Sequence, residues 1–181
     1  MDFGASLRDL GQIDANRLIE ATTALEESTW FEQDHRQSAY DVHKDTSSIV
    51  LLFCDDAWPD VTVKKDLGWS TLGEVAEPLM NEIIGTHYEP GGQILRAMAA
   101  RLHAGCNISP HVDHLQSFHA GHRIHLPLVS NAGVRYVIGG QPFTMEVGRA
   151  YEINNQKPHS VMNAGQEARI NFIFDYVPPN S

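Results

Sequence analysis

The chain contains little cysteine, no long apolar run and no basic segment. Its two cysteines, Cys54 and Cys106, do not form a C-x-x-C pair, so the sequence predicts neither a disulfide scaffold nor a cysteine zinc site. No run approaches the ~18 consecutive apolar residues of a membrane span. Residues 1–5 lack the basic start and apolar stretch of a signal peptide, which predicts a cytoplasmic protein.

Positive charge is also scarce. The chain has 13 lysines and arginines against 23 aspartates and glutamates, a formal net charge of −10. An acidic chain without a basic run is a poor candidate for binding nucleic acid or an anionic membrane surface. We therefore expect a small-molecule or peptide substrate and no nucleic-acid or membrane partner. The sequence does not indicate an oligomeric state.

Length and apolar content predict one domain. With 181 residues, of which 42% are hydrophobic, the chain is long enough for a single substantial core. Within residues 1–181 we expect a helical and strand support region over residues 1–92 and a barrel core over residues 93–177.

Two helices are predicted in the support region. Asp14 fits the N-cap of a helix that runs to about Glu27. Thr71 and Glu74 fit a capping box at the start of a second helix, whose apolar residues follow helical spacing. Pro78 should kink this second helix or mark its true start.

From Gln93 the hydrophobic period changes from helical to alternating. Before this change, a buried strand is predicted near residue 50, and residues 55–70 resemble a long loop. The predicted strands, most of them bounded by glycine- and asparagine-containing turns, are Ser48–Cys54, Gln93–His103, Gly121–Ser130, Val134–Ile138, Pro142–Glu146, Ala150–Ile153, His159–Met162 and Ala168–Val177. Two helices followed by seven or more short strands predict a mainly β protein with flanking helices, a double-stranded β-helix of the jelly-roll or cupin-like barrel type.

The candidate metal ligands, and therefore the candidate catalytic residues, are His111, Asp113 and His159. Two imidazoles and one carboxylate on one face of Fe(II) leave open positions for a co-substrate and dioxygen. In a strand, residues i and i+2 point the same way, so His111 and Asp113 could reach one ion. A short pair with a distant third partner is typical of a site assembled across the strands of a barrel.

An arginine follows the last candidate ligand by ten residues. His159 and Arg169 flank a turn centred near Ala164, and in an antiparallel hairpin their Cβ atoms would lie ~5 Å apart. A buried arginine needs an anion. That anion is either the carboxylate of a co-substrate or a structural partner such as Glu146 or Asp175.

The segment 123–128 has the same alternation. Arg123 and His125 would point together towards the interior, which makes His125 a rival metal ligand, although Asp113 completes the set more plausibly. The polar segment 114–121 could cover the site, or be an ordinary exposed loop. Its candidate substrate contacts are His114, Gln116, Ser117 and His119.

Three further features allow two interpretations each. The H-x-x-H pairs formed by neighbouring histidines, such as His122 with His125, could bind zinc, but no fourth ligand supports this. Trp58 and Trp69 could rim a substrate opening or pack in the core. The histidines expected at the surface or in the core are His35, His43, His87 and His103.

The stretch from residue 101 to residue 177 carries four motifs in order. They are Ser109-Pro110-His111, Arg123-Ile124-His125-Leu126, Gly148-Arg149-Ala150 leading to Pro158-His159-Ser160, and Arg169-Ile170-Asn171-Phe172. In this combination the chain resembles the aspartyl/asparaginyl β-hydroxylase family of 2-oxoglutarate-dependent oxygenases. The resemblance implies a jelly-roll core and Fe(II) bound by the residues matching His111 and His159. It also implies 2-oxoglutarate held by those matching Arg123, His125 and Arg169.

The resemblance has one departure. Family members that act on epidermal-growth-factor-like domains carry glycine where this chain has Asp113. The full set of two histidines and one carboxylate is similar instead to that of the free-proline hydroxylases. Asp113 also argues against halogenation, because it fills the position that a halide would need.

The leading hypothesis is an Fe(II)/2-oxoglutarate-dependent dioxygenase that hydroxylates an unactivated C–H of an amino-acid-like or Asp/Asn-type substrate with O2. One alternative is a cupin-like metalloenzyme without 2-oxoglutarate, in which Arg169 and Arg123 would be structural. Another is a non-catalytic barrel that binds a small acid or a protein partner. The sequence leaves a free amino acid, a peptide side chain and a lipid acyl chain open as substrates.

Overall fold

Two antiparallel sheets face each other in the computed structural model, which describes residues 1–32, 45–55 and 57–179. The elements in chain order are β1 (Leu7–Gln12), α1 (Asn16–Thr23), a 3-10 helix (Glu27–Phe31), β2 (Thr46–Cys54), β3 (Val63–Lys65), α2 (Leu67–His87), β4 (Gln93–Leu102), β5 (Asn107–His111), α3 (Gln116–Ala120), β6 (His122–Val129), β7 (Val134–Ile138), β8 (Gln141–Phe143), β9 (Arg149–Ile153), β10 (His159–Asn163) and β11 (Arg169–Val177).

The larger sheet has the strand order β1-β9-β6-β11-β4-β2-β3, and the smaller sheet has the order β5-β10-β7-β8. Every strand pair is antiparallel. Neighbours in each sheet are mostly distant in sequence, as in a jelly roll. The predicted mainly β fold with flanking helices is therefore confirmed.

Alternation along β11 separates the core from the cavity between the sheets. Phe172 and Phe174 are buried on the outer face of the larger sheet, in one apolar cluster with residues of α1 and α2. Arg169, Asn171 and Asp175 point to the opposite face and are buried as well. Because side chains alternate across a strand, the helices cover one face and leave the polar face to the interior between the sheets.

Replacing Phe172 by alanine should lower the free energy of unfolding by about 3–5 kcal/mol, because Phe172 is 0% exposed in the largest core cluster. Urea unfolding followed by circular dichroism measures this loss. Met162, which is 50% exposed on β10, provides the control. Met162→Ala should change stability by less than about 1 kcal/mol. Equal losses in the two variants would contradict this assignment of the core.

Both predicted helices exist, with different ends. Helix α1 ends at Thr23 rather than near Glu27, and Asp14 accepts a hydrogen bond from the Asn16 backbone without being the cap. Helix α2 begins at Leu67, four residues before the predicted start, because Asp66 caps it by accepting a hydrogen bond of 2.7 Å from the Leu67 amide.

The start of α2 is pressed against β2. A Cβ atom at Gly68 would lie 2.5 Å from the backbone oxygen of Val50, so this close approach requires glycine. Pro78 lies inside the helix and does not mark its start. The predicted long loop over residues 55–70 was therefore wrong in part, because it contains β3 and the first turn of α2.

The predicted hairpin of His159 and Arg169 was wrong. Strand β10 pairs with β5 and β7 in the smaller sheet, whereas β11 pairs with β4 and β6 in the larger one. The intervening residues carry the chain from one sheet to the other. Asn163 donates to the Glu167 backbone oxygen at 2.8 Å, and a Cβ at Gly133 would lie 2.4 Å from the Gly165 nitrogen. This tight crossing replaces the expected turn.

Candidate active site

Three side chains converge at one end of the space between the sheets. His111 and His159 are register partners on β5 and β10. Asp113 follows the end of β5, and its oxygens lie 3.9 Å from His111 Nε2 and 4.0 Å from His159 Nε2. One ligand atom from each residue lies within 4.8 Å of the other two. Across residues 1–32, 45–55 and 57–179, no other group of three such side chains could hold a metal ion.

The expectation that Asp113 shares a strand face with His111 was wrong, because β5 ends at His111. Asp113 lies in the following loop, where its backbone amide donates to the Asn155 oxygen at 3.3 Å. The carboxylate still reaches the two imidazoles. Its direction therefore depends on side-chain contacts rather than on the period of a strand.

Backbone carbonyls fix the orientation of both imidazoles. Nδ1 of His111 lies 2.8 Å from the Ser109 oxygen, and Nδ1 of His159 lies 3.0 Å from the Lys157 oxygen. A carbonyl oxygen can only accept, so Nδ1 carries the proton in each ring. Each Nε2 therefore presents a lone pair to the centre of the group, as a metal-binding histidine requires.

Electrostatics favour the neutral form of one of these rings. Burial lowers the pKa of His159 below its usual value, although the charge of Asp113 opposes this shift. A neutral imidazole at pH 7 is the form that binds a metal ion. Two imidazoles and one carboxylate around one point fit a divalent transition metal such as Fe(II).

Arg123 links the ligand group to the larger sheet. Its Nη1 lies 2.8 Å from Asp113 Oδ2, while Nε and Nη2 donate to Asp175 at 2.8 and 2.9 Å. Burial acts to lower the pKa of the guanidinium, but the charges of Asp113 and Asp175 outweigh it and raise this pKa above its usual value. Arg123 is thus a fixed cation held between two carboxylates.

A cavity runs from the ligand group to Arg169. His111 and His159 line one part of it, and Arg169 and Tyr136 line another. The walls between them include Ile138, Ile153, Val161 and Ile173. Arg169 therefore faces the same cavity as the two histidines, as predicted, although its strand belongs to the other sheet.

Arg169 is 3% exposed, and its Nε donates to the Tyr136 hydroxyl at 2.8 Å. The guanidinium carbon lies 5.2 Å from the centroid of the Tyr136 ring. Among the described residues, no carboxylate lies within ion-pair distance of Arg169. The structural salt bridge to Glu146 or Asp175 is therefore not formed, and Asp175 binds Arg123 instead.

His125 lines the cavity but stands outside the ligand group. Asn171 donates from Nδ2 to Nδ1 of His125 at 2.8 Å. An amide nitrogen can only donate, so Nδ1 of His125 accepts and Nε2 carries the proton. This tautomer is opposite to that of His111 and His159. It makes His125 Nε2 a hydrogen-bond donor rather than a metal ligand.

The segment 114–121 contains the short helix α3. His114, Gln116 and His119 are exposed, whereas Ser117 is buried and accepts a hydrogen bond from Arg96 at 3.1 Å. The ring of Phe118 packs against the guanidinium groups of Arg96 and Arg123, with its centroid 4.4 Å from the guanidinium carbon of each. This helix is therefore fastened to the larger sheet beside the ligand group.

The alternative positions do not join the site. His122 bonds Glu152 at 2.6 Å on the other side of the larger sheet, so an H-x-x-H site with His125 is not formed. Trp58 and Trp69 pack against apolar clusters. His87 is exposed and His103 is partly buried, while His35 and His43 lie outside the described residues.

Sequence reasoning missed Tyr136, and it named Asp175 only as one alternative partner of Arg169, without connecting it to Arg123. The alternation of buried and exposed residues along β7 puts Val134, Tyr136 and Ile138 inside. That alternation was visible in the sequence. The partners of Tyr136 and Asp175 depend on how the two sheets are superimposed, which no local pattern indicates.

Several solved structures share this architecture. An oxidoreductase of the 2OG-Fe(II) oxygenase family from Burkholderia pseudomallei matches with a TM-score of 0.60 and 16% identity, over 91% of this chain and 77% of that one. A viral collagen prolyl hydroxylase from Paramecium Bursaria Chlorella virus-1, solved as a 2OG complex, gives 0.55 and 7% identity over 97% of each chain. A non-heme monooxygenase in a nickel complex gives 0.60 and 13% identity, over 97% of this chain and 74% of that one.

At these identities the similarity shows the fold alone. No curated protein matches the sequence significantly. Within the described part of the chain, no helix is both long and apolar enough to cross a bilayer.

A family model does match the sequence: the aspartyl/asparaginyl β-hydroxylase model covers residues 18–179. Because this match spans most of the chain, the protein belongs to the aspartyl/asparaginyl β-hydroxylase family and is a 2-oxoglutarate-dependent hydroxylase.

Proposed function

We propose that the protein uses Fe(II) and O2, that His111, Asp113 and His159 bind the Fe(II), and that the protein hydroxylates an unactivated C–H of an amino-acid-like or Asp/Asn-type substrate. The observation that carries the proposal is one cavity lined by two histidines of the three-ligand group and by the buried cation of Arg169. A dicarboxylic keto acid matches both features, since one end can chelate a metal and the other can pair with a guanidinium.

Arg169 would hold the far carboxylate of 2-oxoglutarate. Its Nε is engaged by Tyr136, which fixes the plane of the guanidinium and leaves the Nη groups to donate. His125, with the proton on Nε2, would donate a hydrogen bond to the co-substrate within the same cavity. The sequence assigned Arg123 to this anion as well, but its bonds to two carboxylates support a different role.

The bound Fe(II) supplies the activation of dioxygen and the oxidising power for the reaction. The chain itself supplies orientation and exclusion of water. The carbonyls of Ser109 and Lys157 hold the two imidazoles so that each Nε2 would be free of its own proton and able to bind the ion. The apolar walls, which include Ile138 and Ile173, keep water from the reacting atoms.

Two observations support the substrate class. The family to which the chain belongs is described by aspartyl and asparaginyl hydroxylation. The carboxylate of Asp113, present where relatives that act on epidermal-growth-factor-like domains carry glycine, favours a smaller amino-acid-like substrate and hydroxylation over halogenation.

We propose that residues 1–181 work as one oxygenase domain, to which β1 and β2 contribute strands of the larger sheet.

The direct test is an aerobic assay with Fe(II) and 2-oxoglutarate that records O2 uptake and succinate release. Free amino acids and short acidic peptides are screened as stimulants of turnover, and the products are identified by mass spectrometry. A hydroxylated product formed in step with succinate supports the proposal. A protein that binds Fe(II) but neither binds nor consumes 2-oxoglutarate would contradict it.

A further inference from the structure

A row of alternating charges crosses the larger sheet beside the ligand group. Asp175 on β11 is the register partner of Arg96 on β4 and of Arg123 on β6. Arg123 binds Asp175 through Nε and Nη2, and Arg96 Nη1 lies 3.7 Å from the same carboxylate. All three residues are buried. The row ends at Asp113, which contacts the remaining nitrogen of Arg123 at 2.8 Å.

Arg123 has little freedom to move. Its planar fork is matched to the two oxygens of Asp175, which is the geometry of a bidentate arginine–carboxylate pair. The ring of Phe118 packs on the guanidinium at 4.4 Å, and Arg96 lies at the same distance from that ring. The third nitrogen, Nη1, is consequently aimed at Asp113 by its surroundings.

Asp113 needs such a partner because it lies in a loop. Two hydrogen bonds of its backbone are long, 3.3 Å from its amide to the Asn155 oxygen and 3.4 Å from the Gln156 side chain to its carbonyl oxygen. A carboxylate that binds a metal is usually oriented by a further hydrogen bond, and loss of that bond typically lowers metal affinity about 10–100-fold. The Nη1 contact of Arg123 can supply this orientation.

We infer that Arg123 and Asp175 are positioning residues, which hold the Asp113 carboxylate towards His111 and His159, and that Arg123 does not bind the co-substrate. The inference rests on the proposed function of the site. In this arrangement Asp175 orients Arg123. Its negative charge also offsets part of the positive charge that Arg123 places beside the candidate metal ligands. Arg169 is then the cation available to the 2-oxoglutarate carboxylate.

The test is Arg123→Lys, which keeps the positive charge but cannot hold both carboxylates through a fork. Co(II) binding to the apoprotein is measured by calorimetry without co-substrate, and 2-oxoglutarate binding is measured without oxygen at saturating Co(II). We expect the dissociation constant of Co(II) to rise about 10–100-fold, while that of 2-oxoglutarate changes by less than about twofold. The visible spectrum of the Co(II) protein should also change, because the ligand geometry changes.

Arg169→Gln is the matched comparison and should show the reverse pattern, with Co(II) binding kept and 2-oxoglutarate binding lost. Thermal melting of each apoprotein confirms that it is folded. If Arg123→Lys does not fold, Asp175→Asn decides the question by the same two measurements, because it releases Arg123 without altering any residue proposed to bind a ligand.

Loss of 2-oxoglutarate binding at saturating Co(II) in the variant, or unchanged Co(II) affinity, overturns the inference. The first result would show that Arg123 binds the co-substrate. The second would show that Arg123 has only a structural role. These outcomes are distinct from failure of the proposed function, in which the wild-type protein itself would bind no Co(II) or no 2-oxoglutarate.

Discussion

Substitution of His159 by alanine is expected to abolish hydroxylation and to raise the dissociation constant for Co(II), used as a stable substitute for Fe(II), by more than about 100-fold. Removal of a direct ligand should cost more than the roughly 10–100-fold typical of residues that only orient ligands. His111→Ala should behave alike, because the two rings are register partners that present Nε2 to the same point. Calorimetry gives the affinity, and succinate release gives the activity.

The control for this loss is His119→Ala. His119 is exposed on α3, outside the ligand group, and its removal should leave Co(II) affinity unchanged. A folded His159→Ala protein that retains tight Co(II) binding would show that the three converging side chains do not form the metal site. Thermal melting separates that result from a loss of structure.

The second large effect is expected for Arg169→Gln, which removes the charge but keeps a polar side chain of similar reach. The affinity for 2-oxoglutarate should fall roughly 100-fold or more, since each hydrogen bond to a charged group contributes about 1.5–3 kcal/mol and a carboxylate can accept two from the guanidinium. Co(II) affinity should stay within about twofold, because Arg169 contacts none of the three candidate ligands in the structure.

Arg135→Gln serves as the comparison for the charge itself. Arg135 is exposed on β7 and donates to backbone oxygens, so its loss should leave 2-oxoglutarate binding unaltered. Titration calorimetry on the Co(II)-loaded proteins measures both variants. Unaltered 2-oxoglutarate binding in Arg169→Gln would make this arginine structural and would leave the co-substrate without its proposed anchor.

The inward faces of β6 and β11 could be predicted from the sequence. Alternation with a period of two put Arg123 with His125, and Arg169 with Asp175, on faces opposite to the apolar residues, and the structure agrees. This agreement is physical in origin. One face of each strand must bury its apolar side chains against the helices, which leaves no choice for the other face.

The connection between β10 and β11 could not be predicted in the same way. Equal spacing of His159 and Arg169 about Ala164 is compatible with a hairpin and equally with a crossing between two layers. What decides is the packing of Gly133 against Gly165 and the hydrogen bonds of Asn163, all of which depend on residues distant in sequence. Local pattern therefore indicated the candidate site residues but not the sheet that carries each of them.

The partners of the charged residues were also beyond local pattern. Asp175 was a candidate partner of Arg169, six residues away on the same strand face, yet it binds Arg123 on the neighbouring strand. Cross-strand register decides this choice, since Arg123 is directly opposite Asp175. Register between strands that are some fifty residues apart has no signature in a single sequence.

Two polar contacts span the gap between the layers: Asp113 with Arg123 beside the histidines, and Tyr136 with Arg169 farther along the cavity. Each contact joins a residue on or next to the smaller sheet to one on the larger sheet. The interior is thus preorganised: a ligand that enters need not spend its interaction energy on bringing two separate walls together. Single side-chain substitutions in the cavity can accordingly change the affinity for a ligand without changing how the two sheets pack together.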